Sequence, residues 1–178
     1  MVKMKRLKDG QSGFTLVELI IAIAIAAVIT GGITAAIMQI LTINHRDSNH
    51  MIAVRQVQQA GDQVSKDALQ AQPGKIDVNP AGEFLTLNWT SWDGLENEII
   101  YSIEDGELKR SHSFNGTPQS TAPAVVAKYI DATIDPVTGK ARTNCVWNGT
   151  VLKFTVTAAV GTETETRIYE IEPRPDSL

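Results

Sequence analysis

Cysteine is almost absent from this chain, and so is any excess of positive charge. Cys145 is the only cysteine among 178 residues, which excludes an internal disulfide and a thiol-based metal cluster. We expect its thiol to be buried in a strand. The 16 Lys and Arg residues are outnumbered by 20 Asp and Glu residues. This balance gives no reason to expect nucleic-acid binding, which a basic stripe or a basic pI usually marks.

Charge is also missing from the long segment between Leu19 and Ile43. About 20 apolar residues are enough to cross a bilayer as a helix, and this segment reaches that length. Four basic residues stand close before it: Lys3, Lys5, Arg6 and Lys8. Only Arg46 follows closely, so the positive-inside rule predicts a single-pass protein of the cytoplasmic membrane. The N-terminus would be cytoplasmic, and everything after about Asn44 would lie outside.

Three interpretations of this apolar segment compete. A cleaved secretory signal has an apolar core of about 7–15 residues, followed by a small-residue cleavage site. Four alanines resemble such a site, although the apolar run continues beyond them: Ala22, Ala24, Ala26 and Ala27. A plain signal anchor accounts for the length and the orientation, but it does not account for the residues in front of the segment. Those residues support the third interpretation.

The boundary reads Gly13-Phe14-Thr15-Leu16-Val17-Glu18, directly after the short basic leader. This pattern resembles the prepilin cleavage and methylation motif of type IV pilins and type II secretion pseudopilins. The resemblance implies that a prepilin peptidase cuts between Gly13 and Phe14 on the cytoplasmic side, and that Phe14 is then N-methylated. It also implies further partners, namely other pilin or pseudopilin subunits and an inner-membrane assembly platform. Because the cut precedes the apolar segment, the mature chain would keep its membrane helix.

Gly13 and Glu18 have physical reasons to stand where they do. Gly13 has no side chain to obstruct a protease cleft. An acid at the centre of a membrane helix costs roughly 2.5–3.5 kcal/mol on insertion scales, so Glu18 needs an explanation. One hypothesis places it in the first helical turn, near the headgroups and the positive end of the helix dipole. The other pairs its carboxylate with the new α-amino group on Phe14 of a neighbouring subunit, which would fix the axial register of a filament.

Two glycines, Gly31 and Gly32, interrupt the middle of the apolar segment, where each costs up to about 1 kcal/mol relative to alanine. They could allow close helix packing together with Ala35 and Ala36. Alternatively, as the family suggests, they could form a weak point that stretches when the subunit joins a filament. The sequence leaves both interpretations open.

The helical pattern continues beyond Asn44 in amphipathic form. Apolar or small residues recur at three- and four-residue steps: Met51, Val54, Val57, Gly61, Val64 and Ala68. Pro73-Gly74 should stop the helix, which would run from about Thr15 to Gln72. We therefore expect a leader at 1–13, a transmembrane half of the helix at 14–43, an amphipathic half at 44–72 and a β-rich head at 73–178.

The remainder of the chain alternates between apolar and polar residues, as strands do. The predicted strands are Phe84–Trp89, Glu98–Ile103, Glu107–His112, Val125–Ile130, Thr133–Ile134, Thr150–Val160 and Thr164–Ile171. Asp105-Gly106 between two alternating runs predicts a tight hairpin. Strands that follow one long helix indicate an α+β fold, in which the helix packs against an antiparallel sheet.

Residues that could carry chemistry are few, and we assign no catalytic residue, cofactor or metal to the chain. His45 and His50 lack the i, i+4 spacing of a metal-binding pair, and His112 ends a predicted strand. Four residues could be imagined around calcium: Asp93, Glu96, Asn97 and Glu98. Their spacing matches no known calcium loop, so we interpret them as a solvated turn.

Two further sets of residues have a structural and a functional interpretation. Trp89, Trp92 and Trp147 are expected to pack in the core or at a sheet edge, although a partner-binding patch is the alternative. Three tripeptides match the glycosylation acceptor pattern, beginning at Asn88, Asn115 and Asn148, and such tripeptides also occur by chance.

The functional hypothesis is a non-enzymatic structural subunit of a type IV pilus, a competence pilus or a type II secretion pseudopilus. The order of helix, Asp-Gly hairpin and late hairpin resembles minor pseudopilins of the larger type more than compact major pilins. The rival hypothesis is a membrane-anchored extracytoplasmic domain that binds a ligand or acts as an enzyme. N-terminal processing distinguishes the two.

Overall fold

The computed structural model describes residues 13–80 and 83–175 of the chain. The basic residues of the predicted leader, and the leader as a whole apart from Gly13, lie outside this range. The chain divides after Asn44 into two units, which are described separately below.

The helix α1 spans Leu16–Ala68. The predicted end at Gln72 is wrong, because the backbone N–H of Gln72 donates to the carbonyl of Asn88 at 3.0 Å and so leaves the helical pattern. Before it, Gln70 and Ala71 donate to carbonyls three residues back, which tightens the last turn. A 3₁₀ helix at Pro73–Lys75 follows, with Pro73 in its first turn, where a missing N–H does no harm.

The first unit contains the described residues up to Asn44, and every one of them is exposed. This part of α1 is long and apolar enough to cross a membrane. Isoleucine, leucine and alanine dominate it, so no side of the helix is polar enough to face water. A helix that is apolar all round needs either lipid or other apolar helices around it.

The second unit begins at His45 and contains the rest of α1 and the strands. Nine strands lie within the described residues: β1 Ile76–Val78, β2 Leu85–Thr90, β3 Glu96–Glu104, β4 Glu107–Phe114, β5 Thr117–Pro118, β6 Ala124–Ala127, β7 Asn144–Trp147, β8 Leu152–Val160 and β9 Glu163–Ile171. All pairs are antiparallel. The α+β fold class is confirmed.

The strands form two sheets, where the sequence predicted one. Sheet A has the order β1-β2-β3-β4-β5, with β6 also paired to β4, and sheet B has the order β7-β8-β9. The Asp105-Gly106 hairpin is confirmed, since both residues have positive φ, at 51° and 72°. Three short strands, β1, β5 and β7, were not predicted. The predicted strand Thr133–Ile134 is wrong, because only an isolated bridge from Ile134 to Ala141 occurs there.

The core lies between α1 and the two sheets. Alternate residues of the central strands are fully buried, as predicted from their patterns: Leu85, Leu87, Ile99, Tyr101, Leu152, Phe154, Val156 and Ala158. The helix contributes Ala53, Val57, Ala60, Val64 and Ala68. Met51 was expected on the buried face of the helix but is 63% exposed, because the face that packs against the sheets is centred on the alanines. Alanine's small side chain lets the sheets approach the helix closely.

Strand β9 packs on the helix at Gly61. The ring of Tyr169 occupies the place where a Cβ at position 61 would lie. The Tyr169 hydroxyl also donates to the Val57 carbonyl at 3.2 Å. Glycine is therefore required here by close approach, since any larger side chain would displace the aromatic ring.

A buried ionic cluster joins the last turn of α1 to sheet A. The Asp67 carboxylate accepts hydrogen bonds from the Tyr101 hydroxyl and from Arg110, whose Nε lies 2.7 Å and whose Nη2 lies 3.2 Å from its oxygens. Gln63 donates to the same carboxylate from one turn earlier. Burial, together with the adjacent Asp67 charge, raises the pKa of the Tyr101 hydroxyl, so the phenol remains a donor. Pattern reasoning missed Asp67 because it assigned polar helix residues to the solvent side.

The four residues Lys128–Asp131 connect the helix to both sheets. The Lys128 N–H donates to Gln56 Oε1 at 2.6 Å. The Ile130 N–H donates to the Gly106 carbonyl, and the Asp131 N–H donates to the Thr157 carbonyl, both at 2.8 Å. To meet all three acceptors the backbone turns sharply, and Tyr129 adopts a φ of 61°. Left-handed geometry costs a non-glycine residue roughly 1–2 kcal/mol, so these contacts outweigh that strain.

We predict that Asp67→Ala lowers the free energy of unfolding by about 3 kcal/mol, because Arg110 and Tyr101 lose their buried acceptor. Denaturant unfolding of the detergent-solubilised full chain measures this. Asp62→Ala is the matched control, since Asp62 lies on the exposed side of the same helix and its loss should change stability by less than about 0.5 kcal/mol. Equal effects of the two variants would contradict a special role for the buried cluster.

Candidate processing and assembly site

The predicted cleavage bond joins Gly13 and Phe14, just before the helix. Neither residue is helical, both are exposed, and the Phe14 side chain is 88% accessible. Among the described residues, no atom lies within 4 Å of where a Cβ on Gly13 would stand. An exposed peptide bond outside the helix is accessible to a protease, whereas a bond within the helix would have to unfold first.

Thr15 and Glu18 cap the N-terminus of α1 reciprocally. The Thr15 backbone N–H and hydroxyl donate to Glu18 Oε2 at 2.9 and 2.8 Å, while the Glu18 N–H donates to Thr15 Oγ1 at 3.3 Å. This is a capping box, in which two helix-end donors are satisfied by side chains three residues apart. The helix start at Leu16, one residue after the predicted start, follows from this cap.

The capping box gives Glu18 a definite place within its own chain. Its carboxylate stands in the first turn, as one of the two sequence hypotheses supposed, and the positive end of the helix dipole favours it there. Sequence reasoning did not assign a role to Thr15. The signal was available, because Thr-x-x-Glu before an apolar run is the sequence pattern of a capping box.

The threonine hydroxyls within the apolar segment are satisfied inside the helix. Thr30, Thr34 and Thr42 each donate a hydroxyl hydrogen bond to the carbonyl four residues back, at 2.8, 2.9 and 2.9 Å. Bonds of this kind remove the cost of placing a hydroxyl in a medium without water. Gly31 and Gly32 remain helical, with no atom of the described chain near their open faces. Close packing and stretching therefore both stay open for this pair.

The other candidate residues named from the sequence have structural roles in the head. No group of three or more metal-binding side chains occurs among the described residues. Asp93 Oδ1 accepts the Leu95 N–H, and Asn97 donates to Ser91 Oγ at 2.6 Å, so both build a turn. His112 lies against Trp89 and Phe114. Its burial and the charge of Arg110 lower the pKa of His112.

The tryptophans divide into two kinds. Trp89 and Trp147 pack against the core, as expected. Trp92 is 99% exposed, and the prediction of packing is wrong for it. It stands on the turn between β2 and β3, where no residue of the described chain covers it.

Cys145 and the three possible acceptor asparagines have clear environments. The Cys145 thiol is buried in β7, as predicted, and burial raises its pKa. Asn115 and Asn148 lie in exposed turns, and Asn148 Oδ1 accepts the N–H groups of Thr150 and Val151. Asn88 lies half-buried in β2.

Comparison with known proteins identifies the front of the chain. Residues 8–34 match the family model described as the prokaryotic N-terminal methylation motif, the hallmark of type IV pilin and pseudopilin precursors. No curated protein and no solved structure matches the chain. The matched range contains the exposed Gly13–Phe14 bond, the capping box and the first part of the apolar helix.

We predict that Thr15→Ala frays the first turn of α1, because it removes an N-cap side chain whose loss costs about 1 kcal/mol. Hydrogen exchange of the full chain in micelles should show about fivefold faster exchange at the Glu18 amide. Thr15→Ser retains the hydroxyl and is the matched control, with exchange close to that of the unaltered chain. Equal exchange in all three proteins would show that the cap contributes nothing.

Proposed function

We propose that this chain is a structural subunit, of the minor class, of a type IV pilus, a competence pilus or a type II secretion pseudopilus. The observation that carries the proposal is the methylation motif at the front of an exposed, capped and wholly apolar helix. The motif family is structural rather than enzymatic. The layout of the head, with its Asp-Gly hairpin and late β8–β9 hairpin, supports the minor class.

Processing begins at the bond between Gly13 and Phe14. Prepilin peptidase reaches this bond because it precedes the helix and no neighbouring side chain covers it. Removal of the leader takes away its basic residues and leaves a positive α-amino group on Phe14, which is then N-methylated. The helix stays in the cytoplasmic membrane with the head outside, since nothing between Leu19 and Ile43 opposes insertion.

Assembly then moves the helix from lipid into a bundle of like helices on the inner-membrane platform. Two charges travel with it, the Phe14 amine and the Glu18 carboxylate. In an apolar bundle each would be costly alone, so the amine of one subunit pairs with the carboxylate of its neighbour and fixes their axial register. The capping bonds from Thr15 hold the carboxylate on the outer surface of the first turn until that exchange occurs.

Mass spectrometry of the protein extracted from membranes tests processing. We expect a mature chain that begins with N-methylated Phe14 and lacks residues 1–13. Gly13→Val should leave the precursor uncut, because a branched side chain obstructs the protease cleft next to the bond. An intact leader in the unaltered protein, or a cut after Ala27, would instead support a plain anchor or a secretory signal.

We further predict that Glu18→Ala leaves cleavage and membrane insertion intact but blocks incorporation into sheared filaments or a pseudopilus. Glu172→Ala, which removes an exposed carboxylate from the head, is the control and should assemble normally. Thr15→Ala separates the two roles of Glu18, because it removes the hydroxyl bonds of the cap and keeps the carboxylate. Normal incorporation of Glu18→Ala, or an equal block in Thr15→Ala, would sink the register mechanism.

A further inference from the structure

The same tripeptide, Asn-Gly-Thr, occurs in two exposed turns of the head. Asn115 begins the first copy, between β4 and β5, and Asn148 begins the second, between β7 and β8. Asparagine is among the chemically labile residues of proteins. A glycine after it leaves the side chain open to attack, because no Cβ shields the next backbone nitrogen. Since the two copies have the same sequence, a difference in their reactivity reports on their surroundings in the fold.

In the second copy, two backbone donors hold the side-chain oxygen of the asparagine. Asn148 Oδ1 accepts the N–H of Thr150 at 2.9 Å and the N–H of Val151 at 2.7 Å. Both acceptor positions of this oxygen are thereby occupied. Two N–H groups aimed at one carbonyl oxygen stabilise the negative charge that develops there when a nucleophile attacks the carbon. The turn therefore makes Asn148 Cγ a better electrophile.

The nucleophile that this turn supplies is the backbone nitrogen of Gly149. Gly149 is exposed, and no atom of the described chain lies within 4 Å of where a Cβ on it would stand. Its φ of 95° belongs to the region that glycine visits easily and other residues do not. The Asn148 side chain is exposed as well, so water can reach Cγ and ammonia can leave into the solvent.

The first copy of the tripeptide is held differently. Asn115 has a φ of 47° and Gly116 a φ of 75°, the two positive values of a tight hairpin turn. Two hydrogen bonds fasten Asn115 to β3: its N–H donates to the Glu96 carbonyl at 2.8 Å, and its Oδ1 accepts the Glu96 N–H at 2.9 Å. Among the described residues this is the single donor to that oxygen. A rotation that brought the side chain over Gly116 would break the bond to β3.

We propose that Asn148, in contrast to Asn115, is a modification site at which the turn itself promotes conversion to aspartate. The Gly149 nitrogen attacks Asn148 Cγ and gives up its proton, the bond from Cγ to the side-chain nitrogen breaks, and ammonia leaves. The product is a cyclic imide. Water then opens the ring at either carbonyl carbon, which restores the Gly149 N–H and yields aspartate or isoaspartate. The reaction consumes water and releases ammonia, with no oxidation or reduction.

The fold also favours one of the two products. An aspartate at position 148 keeps a carboxylate oxygen where Asn148 Oδ1 stands, and the bonds from Thr150 and Val151 become charge-assisted and therefore stronger. Isoaspartate routes the backbone through the side-chain carbon and removes that acceptor. Conversion to aspartate adds negative charge to a chain whose formal net charge is already −4. The modification needs no partner and does not depend on the proposed function.

Timed incubation of the purified, detergent-solubilised full chain at mildly alkaline pH tests the site. Peptide mass spectrometry should find the amide-to-acid mass gain about tenfold faster at Asn148 than at Asn115, because an additional donor stabilises the developing oxyanion. In denaturant, where both tripeptides are unfolded, the two rates should become equal. Folding should slow the reaction at Asn115 and should not slow it at Asn148. Equal rates in the folded chain, or a rate at Asn148 that falls on folding, would overturn the proposal.

Matched variants test the nucleophile and the product. Gly149→Ala places a Cβ beside the attacking nitrogen and should nearly abolish conversion at Asn148, whereas Gly116→Ala, the same change in the first copy, should leave it unchanged. Asn148→Asp should unfold at the same or a higher denaturant concentration than the unaltered chain, because both N–H bonds are retained. An unchanged rate in Gly149→Ala would rule out the proposed nucleophile, and a lower unfolding midpoint for Asn148→Asp would contradict the favoured product. A glycan on Asn148 in the native protein, which the tripeptide also permits, would block the reaction and overturn the proposal.

Discussion

An uncharged helical segment that cannot remain in water is the constraint on which this molecule depends. From Leu19 to Ile43 no side chain carries charge, and the threonine hydroxyls are bonded back onto the helix. Only lipid or other apolar helices can surround such a surface. The acid directly in front of it, Glu18, is held at the first turn by Thr15. The helix is thus apolar along its span and carries its acid at one defined point, in the first turn.

The same helix also organises the head. Beyond His45 its buried face consists largely of alanine and valine, and both sheets pack on it closely enough for Tyr169 to lie over Gly61. At its end, Asp67 binds Arg110 and Tyr101 of sheet A. Buried ion pairs contribute little net stability compared with apolar packing, but they strongly disfavour alternative arrangements once one partner is buried. The cluster therefore specifies where the helix ends relative to sheet A more than it strengthens the core.

Local patterns predicted most of the fold, and long-range contacts account for what they missed. Alternation located the central strands, and Asp105-Gly106 located a hairpin, because both signals lie within a few residues of chain. The end of α1 was misplaced because Gln72 bonds to Asn88, a partner that no local pattern reveals. Asp67 looked like a solvent-facing helix residue until Arg110, 43 residues later, was seen to meet it. At the N-terminus the motif itself is local, so the sequence alone was enough to propose Gly13, Phe14 and Glu18 as site residues. The exposure of Trp92, by contrast, depends on the tertiary packing of the head, which no local pattern reveals.

The bond from the Tyr169 hydroxyl to the Val57 carbonyl joins residues 112 positions apart. Likewise, the Gln56 side chain accepts a hydrogen bond from the backbone N–H of Lys128, which lies 72 positions later in the chain. Contacts between residues so far apart in sequence form late in folding, because the entropy of closing a long loop is lost before the contact contributes any stability. During synthesis the face of α1 that carries Val57 and Val64 therefore stays uncovered until the C-terminal hairpin has been made. For that interval the unfinished chain presents an apolar stripe to its surroundings, which makes it vulnerable to aggregation and proteolysis and dependent on rapid completion of the chain.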